Sequence, residues 1–432
     1  MRKKTVHIPL MMAVLLGLSA CGVSNVANVT EGTNVTEATG TPSQGAKTQN
    51  SATIQLLGES ASSTSDAVAI DGQTVTITDE GTYWISGTLD DGMIVVNAEE
   101  TDVVELVLDG VEIANTTSAA IYVPKAGSVQ ITTASGSKNA LENGGEYVAI
   151  DDNNIDAVIF SKADLTLSGE GTLAITATAG HGIVSKDNLV LNGGTYEITA
   201  ASHGISGKDS VQITDGTYTI TSEKDAIHSK GTLSIEDGMF TLNSGDDAIH
   251  ADGALHIQDG TFAIPKCYEG IEGLSVTIED GTFDITSEDD GINAADGTDD
   301  EETGDKHSMQ KQESSSSDVF ITINGGTFAI SSGGDSLDSN GDLTINGGTL
   351  NLTCNGNGDS AIDCDGTYTN NGGDVTTNDG SEDHPNQMGG GMRGQRGMEA
   401  PEGENAPYGS DAPEVPGGFG DPGSMRPERG RH

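Results

Sequence analysis

The chain has 432 residues, 60 of them glycine, with 34% hydrophobic content and a formal net charge of −48 at pH 7. So little apolar material does not fill two or three compact cores, but it suffices for the narrow axis of a repeating solenoid. Ordinary nucleic-acid binding is excluded, because phosphate contacts need clustered Lys and Arg, and arginine occurs only at Arg2, Arg393, Arg396, Arg426, Arg429 and Arg431. The body between these ends has no guanidinium to grip a carboxylate, whereas its many acids suit divalent cations and, through them, anionic partners.

In chain order, residues 1–20 have the parts of a secretory signal: a basic start at Arg2, Lys3 and Lys4, then an apolar stretch over 8–18 too short to span a bilayer. The stretch ends in Leu18-Ser19-Ala20-Cys21, which resembles a bacterial lipobox. That resemblance implies cleavage before Cys21, a diacylated cysteine, and a protein anchored at the extracellular face of the cell membrane. Residues 21–52 are rich in Thr, Asn, Gly and Ser without apolar periodicity and read as a flexible tether.

Residues 53–383 are expected to form one all-β domain, a right-handed parallel β-helix with three short strands per coil of about 22 residues. A tight turn followed by Thr or a similar residue recurs at Gly171, Gly194, Gly216, Gly238, Gly260, Gly281, Gly326 and Gly348. A second landmark, an apolar residue after Gly, Ala or Ser, keeps step at Ile183, Ile205, Ile227, Ile249, Ile271, Ile292, Leu337 and Ile362. Between them apolar residues alternate at period two, as in Val211, Ile213, Tyr218 and Ile220. Residues 67–162 alternate less regularly and read as larger N-terminal coils, one of them a cap. About 13 coils at the strand spacing would make a rod roughly 60 Å long. A low-complexity insertion occupies 296–318, and 384–432 reads as a disordered Gly/Pro/Met/Arg tail. Cys354 and Cys364 lie in one coil and form either a disulfide or two buried thiols.

Stacking turns the period into polar columns. One runs His181, His203, Asp225, Asp247, Glu269, Asp290 and Asp335; another runs His228, His250, Glu272, Asn293, Asp338 and Asp363. Carboxylates stacked about 5 Å apart repel unless cations or protons intervene. Asp246, Asp247, Glu269, Glu272, Asp289, Asp290 and Asn293 form the densest group, and calcium is expected there because it takes six to eight oxygen ligands. His228 and His250 read as solvated turn residues rather than ligands. Lys186, Lys208 and Lys230 form a basic column, which pairs with neighbouring acids or meets an acidic sugar. Tyr268, just outside the periodic positions, is a further candidate for sugar contact, with Lys208 and Lys230.

Three segments carry a more specific resemblance: Glu80-Gly81-Thr82-Tyr83-Trp84-Ile85-Ser86-Gly87, Leu106-Val107-Leu108-Asp109-Gly110-Val111, and Asp164-Leu165-Thr166-Leu167-Ser168-Gly169-Glu170-Gly171-Thr172-Leu173. With the repeated Asp-Asp-Ala/Gly-Ile-His/Asn of the later coils, they resemble a family of clostridial surface proteins. These are calcium-containing β-helix carbohydrate-binding proteins with a fold similar to polysaccharide lyases. The resemblance spans about 67–379. It implies binding of plant cell-wall polysaccharide, cellulose-like or polygalacturonate-like, without cleavage, and it carries calcium only to Asp246, Asp247, Asp289 and Asp290. Lys224 before Asp225 departs from the doubled acid.

Two other readings compete. A pectin-type lyase or hydrolase would use fragments such as Gly180-His181-Gly182 and Gly245-Asp246-Asp247, but the arginine base common in such lyases is missing from the body. A surface scaffold or adhesin without a specific ligand would need only the rod.

Overall fold

The computed structural model describes residues 51–296 and 318–385; the expected signal, Cys21, nearly all of the tether and insertion, and the tail beyond 385 lie outside the described residues. Every regular element among the described residues is a strand, and the strands wind into a parallel β-helix of about 12 turns, about 23 residues apart. No helix among them is long and apolar enough to cross a membrane.

One coil shows why this sequence winds. In Ser210–Ser222 and Ile227–Ser229 the alternation sends Val211, Ile213, Tyr218, Ile220 and Ile227 inward, all at most 1% exposed, while Gln212, Thr219 and their neighbours face outward. A single coil has nothing to bury those side chains against, so it pairs in parallel with the coils before and after. Val211 stacks between Leu189 and Leu233, Tyr218 between Tyr196 and Phe240, and Ile227 between Ile205 and Ile249. Three ladders result, one for each short strand.

The third ladder runs the length of the domain. Its inward column is Val75, Ile94, Ile121, Ile159, Ile183, Ile205, Ile227, Ile249, Ile271, Ile292, Leu337 and Ile362, every one fully buried. Each such side chain contributes roughly 1.5–3 kcal/mol on burial. Eleven steps of ~4.8 Å span about 53 Å, shorter than the expected rod. Upstream, residues 144–156 form an excursion between strands Lys138–Asn143 and Ala157–Ser161.

The Asp-Gly-Thr-Phe turn has a local cause. Asp259 Oδ1 accepts the Gly260 N–H at 2.7 Å, and Gly260 adopts φ of 137°. The Phe262 ring folds back beneath this glycine so closely that a Cβ there would lie 2.8 Å from the ring. Repetition stacks Tyr196, Tyr218, Phe240, Phe262, Phe283 and Phe328 with centroids 4.6–5.1 Å apart. The buried tyrosine hydroxyls stay satisfied, Tyr218 Oη donating to the Asp215 carbonyl at 2.8 Å.

The first coil is irregular. Val68–Asp71 and Thr74–Ile77 form an antiparallel hairpin, and Ser51–Gly58 pairs antiparallel with Ala61–Ser63 and parallel with Gly81–Leu89. Among the described residues the first strand is Ser51–Gly58. Cys354 and Cys364 are buried free thiols, as is Cys267, so the disulfide alternative is not formed.

Candidate functional site

The outward column of the third ladder changes chemistry along the axis. Pairing register aligns Tyr122, Phe160, Val184, Ser206, His228, His250, Glu272, Asn293, Asp338 and Asp363. Its first members are apolar and buried with Ile155 and Tyr147 of the 144–156 excursion. Imidazoles follow, then carboxylates.

The neighbouring column begins with His181 and His203 and continues Asp225, Asp247, Glu269, Asp290 and Asp335. Its side chains satisfy turn N–H groups of the following coil. His181 Nδ1 accepts from His203 N (3.2 Å), Asp225 Oδ1 from Asp247 N (3.2 Å), Asp247 Oδ1 from Glu269 N (3.3 Å) and Asp290 Oδ1 from Asp335 N (2.7 Å). With Asp335 accepting the Ser360 N–H, five of these seven side chains serve the next turn in this way, which accounts for the recurrence of acceptors at the position.

The middle coils form an imidazole–carboxylate segment. His203 Nδ1 lies 3.1 Å from Asp225 Oδ2, and His250 Nδ1 lies 3.1 Å from Asp247 Oδ2 and 3.5 Å from Glu272 Oε2. His203 and His228 stack at 4.5 Å, and His228 meets His250 edge-on at 5.4 Å. All three imidazoles are buried, His228 and His250 at 4% and 1% exposure. The expected solvated turn histidines are therefore corrected: Asp225, Asp247 and Asp252 close over this part of the strand. Burial works against charge on His250, but the Asp247 hydrogen bond and the surrounding acids outweigh it and raise its pKa to about 10. Burial alone would raise the Asp225 carboxyl; the His203 hydrogen bond and the three imidazoles instead hold it below its usual range.

The oxygen segment follows. Ligand atoms of Asp247, Glu269 and Glu272 lie within 4.8 Å of one another, as do those of Asp335, Asp338 and Asp363. Asn293 stands between Glu272 and Asp338 in register and donates Nδ2 to Glu269 Oε2 at 3.0 Å. Its Oδ1 is buried without a hydrogen-bond partner. Asp289 and Asp290 both turn a carboxylate oxygen toward Gly334, where a Cβ would lie 2.5 and 2.3 Å from them. Asp246 stays half-buried at the edge, its carbonyl accepting the Tyr268 N–H at 2.8 Å. Of the residues expected for calcium, Asp247, Glu269 and Glu272 form one cluster, and a second cluster along the same edge consists of Asp335, Asp338 and Asp363, none of them among the expected seven.

This edge is electrostatically crowded. Burial, followed by the charges of Glu272, Asp247 and Asp290, pushes the Glu269 carboxyl well above its usual range. Burial and Asp289 push Asp290 up to about 7, and burial with four neighbouring acids pushes Asp338 up to about 8. Such a group either keeps protons or takes up cations, and an all-oxygen donor set suits a hard divalent ion.

With the fold and this edge described, the family can be assigned. The sequence profile of a family described as carbohydrate-binding domain-containing protein matches residues 71–304 and 270–388. The chain belongs to this carbohydrate-binding domain family. A carbohydrate-binding domain-containing protein of Acetivibrio thermocellus is 38% identical over 137 residues, which are 31% of this chain and 48% of that protein. The chain thus matches about half the length of that relative. A solved structure described as a polysaccharide lyase-like protein from C. thermocellum covers 76% of this chain and 95% of its own, with 22% identity and a TM-score of 0.35.

The residues considered for sugar contact lie as follows. Lys208 and Lys230 follow the paired residues Gly207 and Ser229 and are exposed beside the imidazole segment. Lys186 in the same column lies 3.6 Å from Asp156 Oδ2 and 5.2 Å from the centre of the Phe160 ring. Tyr268 is half-buried, and its hydroxyl hydrogen-bonds to Asp289, which raises its pKa. Trp84 is 46% exposed on the early coils, between Thr53 and Val107.

Proposed function

We propose that the protein is a lipid-anchored lectin-like rod, held by Cys21 at the extracellular face of the membrane. It binds plant cell-wall polysaccharide, cellulose-like or polygalacturonate-like, and leaves the chain intact. Calcium held by Asp247, Glu269, Glu272 and Asn293, with Asp289, Asp290 and Asp246 beside them, joins an acidic protein to its polymer. The observation that carries this reading is the buried Asn293 Oδ1, an acceptor without a hydrogen-bond partner beside Glu269. A buried amide oxygen normally has a partner, and a calcium ion would supply one. When bound, the ion offsets the repulsion among these carboxylates and offers open coordination positions to hydroxyl or uronate oxygens.

Cleavage fits poorly. Asp247 of the Gly245-Asp246-Asp247 fragment is 2% exposed, hydrogen-bonded to His250 and to the Glu269 N–H, so it is not placed to reach a glycosidic oxygen. His181 of the other fragment is stacked on His203, with its Nδ1 already accepting a backbone N–H. Affinity electrophoresis in gels containing soluble polygalacturonate or a soluble cellulose ether tests the reading. Retardation with calcium that vanishes with EDTA supports it, and equal mobility in every gel contradicts it.

A further inference from the structure

We propose that the outward sheet face around Trp84 is a sugar subsite of its own, which takes one ring of a neutral, all-equatorial hexose chain by stacking. This subsite rests on the carbohydrate reading above. It differs from the oxygen edge in place and in chemistry, because stacking needs no ion.

Among the described residues Trp84 is the one aromatic among the exposed large hydrophobic side chains, and the chain has no other tryptophan. Pairing of Gly81–Leu89 with its neighbours sets Trp84 between Thr53 and Val107. Val107 is outward in the alternation and belongs to neither buried cluster, yet it is only 5% exposed. Apolar surface closed to water therefore lies beside the indole, and the short Thr53 side chain leaves the other flank open.

A fixed polar border runs along this platform. Glu105 stands one strand and two residues from Trp84, about 8 Å by strand geometry. Its Oε2 accepts from Thr82 Oγ1 at 2.9 Å, and its Oε1 accepts from Thr132 Oγ1 at 3.2 Å. Gln130 Nε2 in turn donates to Thr132 Oγ1 at 3.3 Å and to Ser168 Oγ at 3.2 Å. Each Glu105 oxygen has a lone pair left for a sugar hydroxyl. An apolar platform with a few pre-set polar groups at its border is what an amphipathic ring requires.

The same face selects against an acidic polymer. The outward positions of these strands carry no Lys or Arg, whereas Glu105 and Asp164 add negative charge. A uronate chain is repelled here unless a cation stands between. In a glucose-type ring every substituent is equatorial, so both faces present only C–H groups, which match the negative face of an indole. A galacturonate ring has an axial hydroxyl that lifts one face away. The subsite therefore suits the cellulose-like polymer.

As the single tryptophan, Trp84 is its own reporter. The whole chain is titrated in EDTA with cellohexaose and, separately, with hexagalacturonate, following indole fluorescence. Cellohexaose should give a saturable blue shift and hexagalacturonate none. One ring of contact gives about millimolar affinity, too weak to hold the rod on a polymer, so calcium still governs retention. In calorimetry Trp84→Ala should weaken cellohexaose binding about fivefold, and Trp84→Phe should restore most of it. Glu105→Ala should weaken it about threefold, while Met239→Ala, exposed on a later coil, should leave it unchanged. The wild-type titration stands by itself should a variant fail to fold. An equal or larger response to hexagalacturonate, or undiminished binding in Trp84→Ala, would overturn the subsite. So would an unmoved indole signal: if the polymers still retain the protein, the carbohydrate reading survives, and if they do not, both fall.

Discussion

Replacing Asp338 with Asn should stabilise the calcium-free protein at neutral pH, although it removes a native carboxylate. In the folded chain this carboxyl titrates near 8, raised from 3.8 by burial and then by Asp290, Asp335, Asp363 and Asp365. Its folded pKa lies above its unfolded one, so the folded state binds the proton more tightly. The associated stability is complete below about pH 4 and is lost as pH rises from there toward 8. At pH 7 the unfolded carboxyl has ionised while the folded one remains largely protonated. About three decades of proton activity at ~1.4 kcal/mol each set a ceiling near 4 kcal/mol on the loss. Part of that repulsion is shared with Asp290, whose own pKa is raised to about 7, so Asp338→Asn should recover about 1–3 kcal/mol. Urea denaturation of chelated wild type and variant at pH 4.5 and pH 7 measures this. The gain should be present at pH 7 and small at pH 4.5, and millimolar calcium should stabilise wild type more than variant. A variant less stable than wild type at pH 7 in chelator, or a gain independent of pH, would refute the reasoning.

Other expectations follow from the same geometry. Phe262→Ala removes a ring stacked 4.6 and 4.7 Å from its neighbours, and should cost about 3–5 kcal/mol in chemical denaturation. Gly334→Ala places a Cβ against the Asp289 and Asp290 oxygens. It should weaken calcium binding at least tenfold in calorimetry, with a far smaller change in sugar-free thermal stability. Burial raises the Cys354 and Cys267 thiol pKa values, so a maleimide should label these two cysteines and Cys364 only after unfolding, with no disulfide seen by non-reducing mass analysis.

The fold was legible where the period held. Asp-Gly-Thr-Phe and Asp-Asp-Ala/Gly-Ile-His/Asn fall at fixed phases, and the paired residues Tyr218, Phe240 and Phe262 are those the 22-residue step aligns. It was less legible upstream, where the step from Ile121 to Ile159 carries the 144–156 excursion. The side cluster of Tyr122, Phe160 and Val184 was missed for that reason. A signal existed in the unbroken apolar runs Ile121-Tyr122-Val123 and Ala157-Val158-Ile159-Phe160, which indicate strands covered on both faces.

The acidic edge could be traced as columns, but its division into two groups could not. That division depends on how Glu269 reaches Asn293 and how Gly334 leaves room for Asp289 and Asp290. The burial of His228 and His250 was also hidden, because an outward strand position normally meets water. Here the flanking Asp225, Asp247 and Asp252 side chains enclose it, a contact made between coils rather than along the chain.

The most direct test of calcium-dependent carbohydrate binding is a pull-down of the protein on insoluble cellulose and on calcium-pectate gel, with and without EDTA, assaying each supernatant for new sugar ends. The account predicts retention on at least one polymer, release by EDTA and no new ends. Retention indifferent to EDTA, new sugar ends, or no retention on either polymer would contradict it.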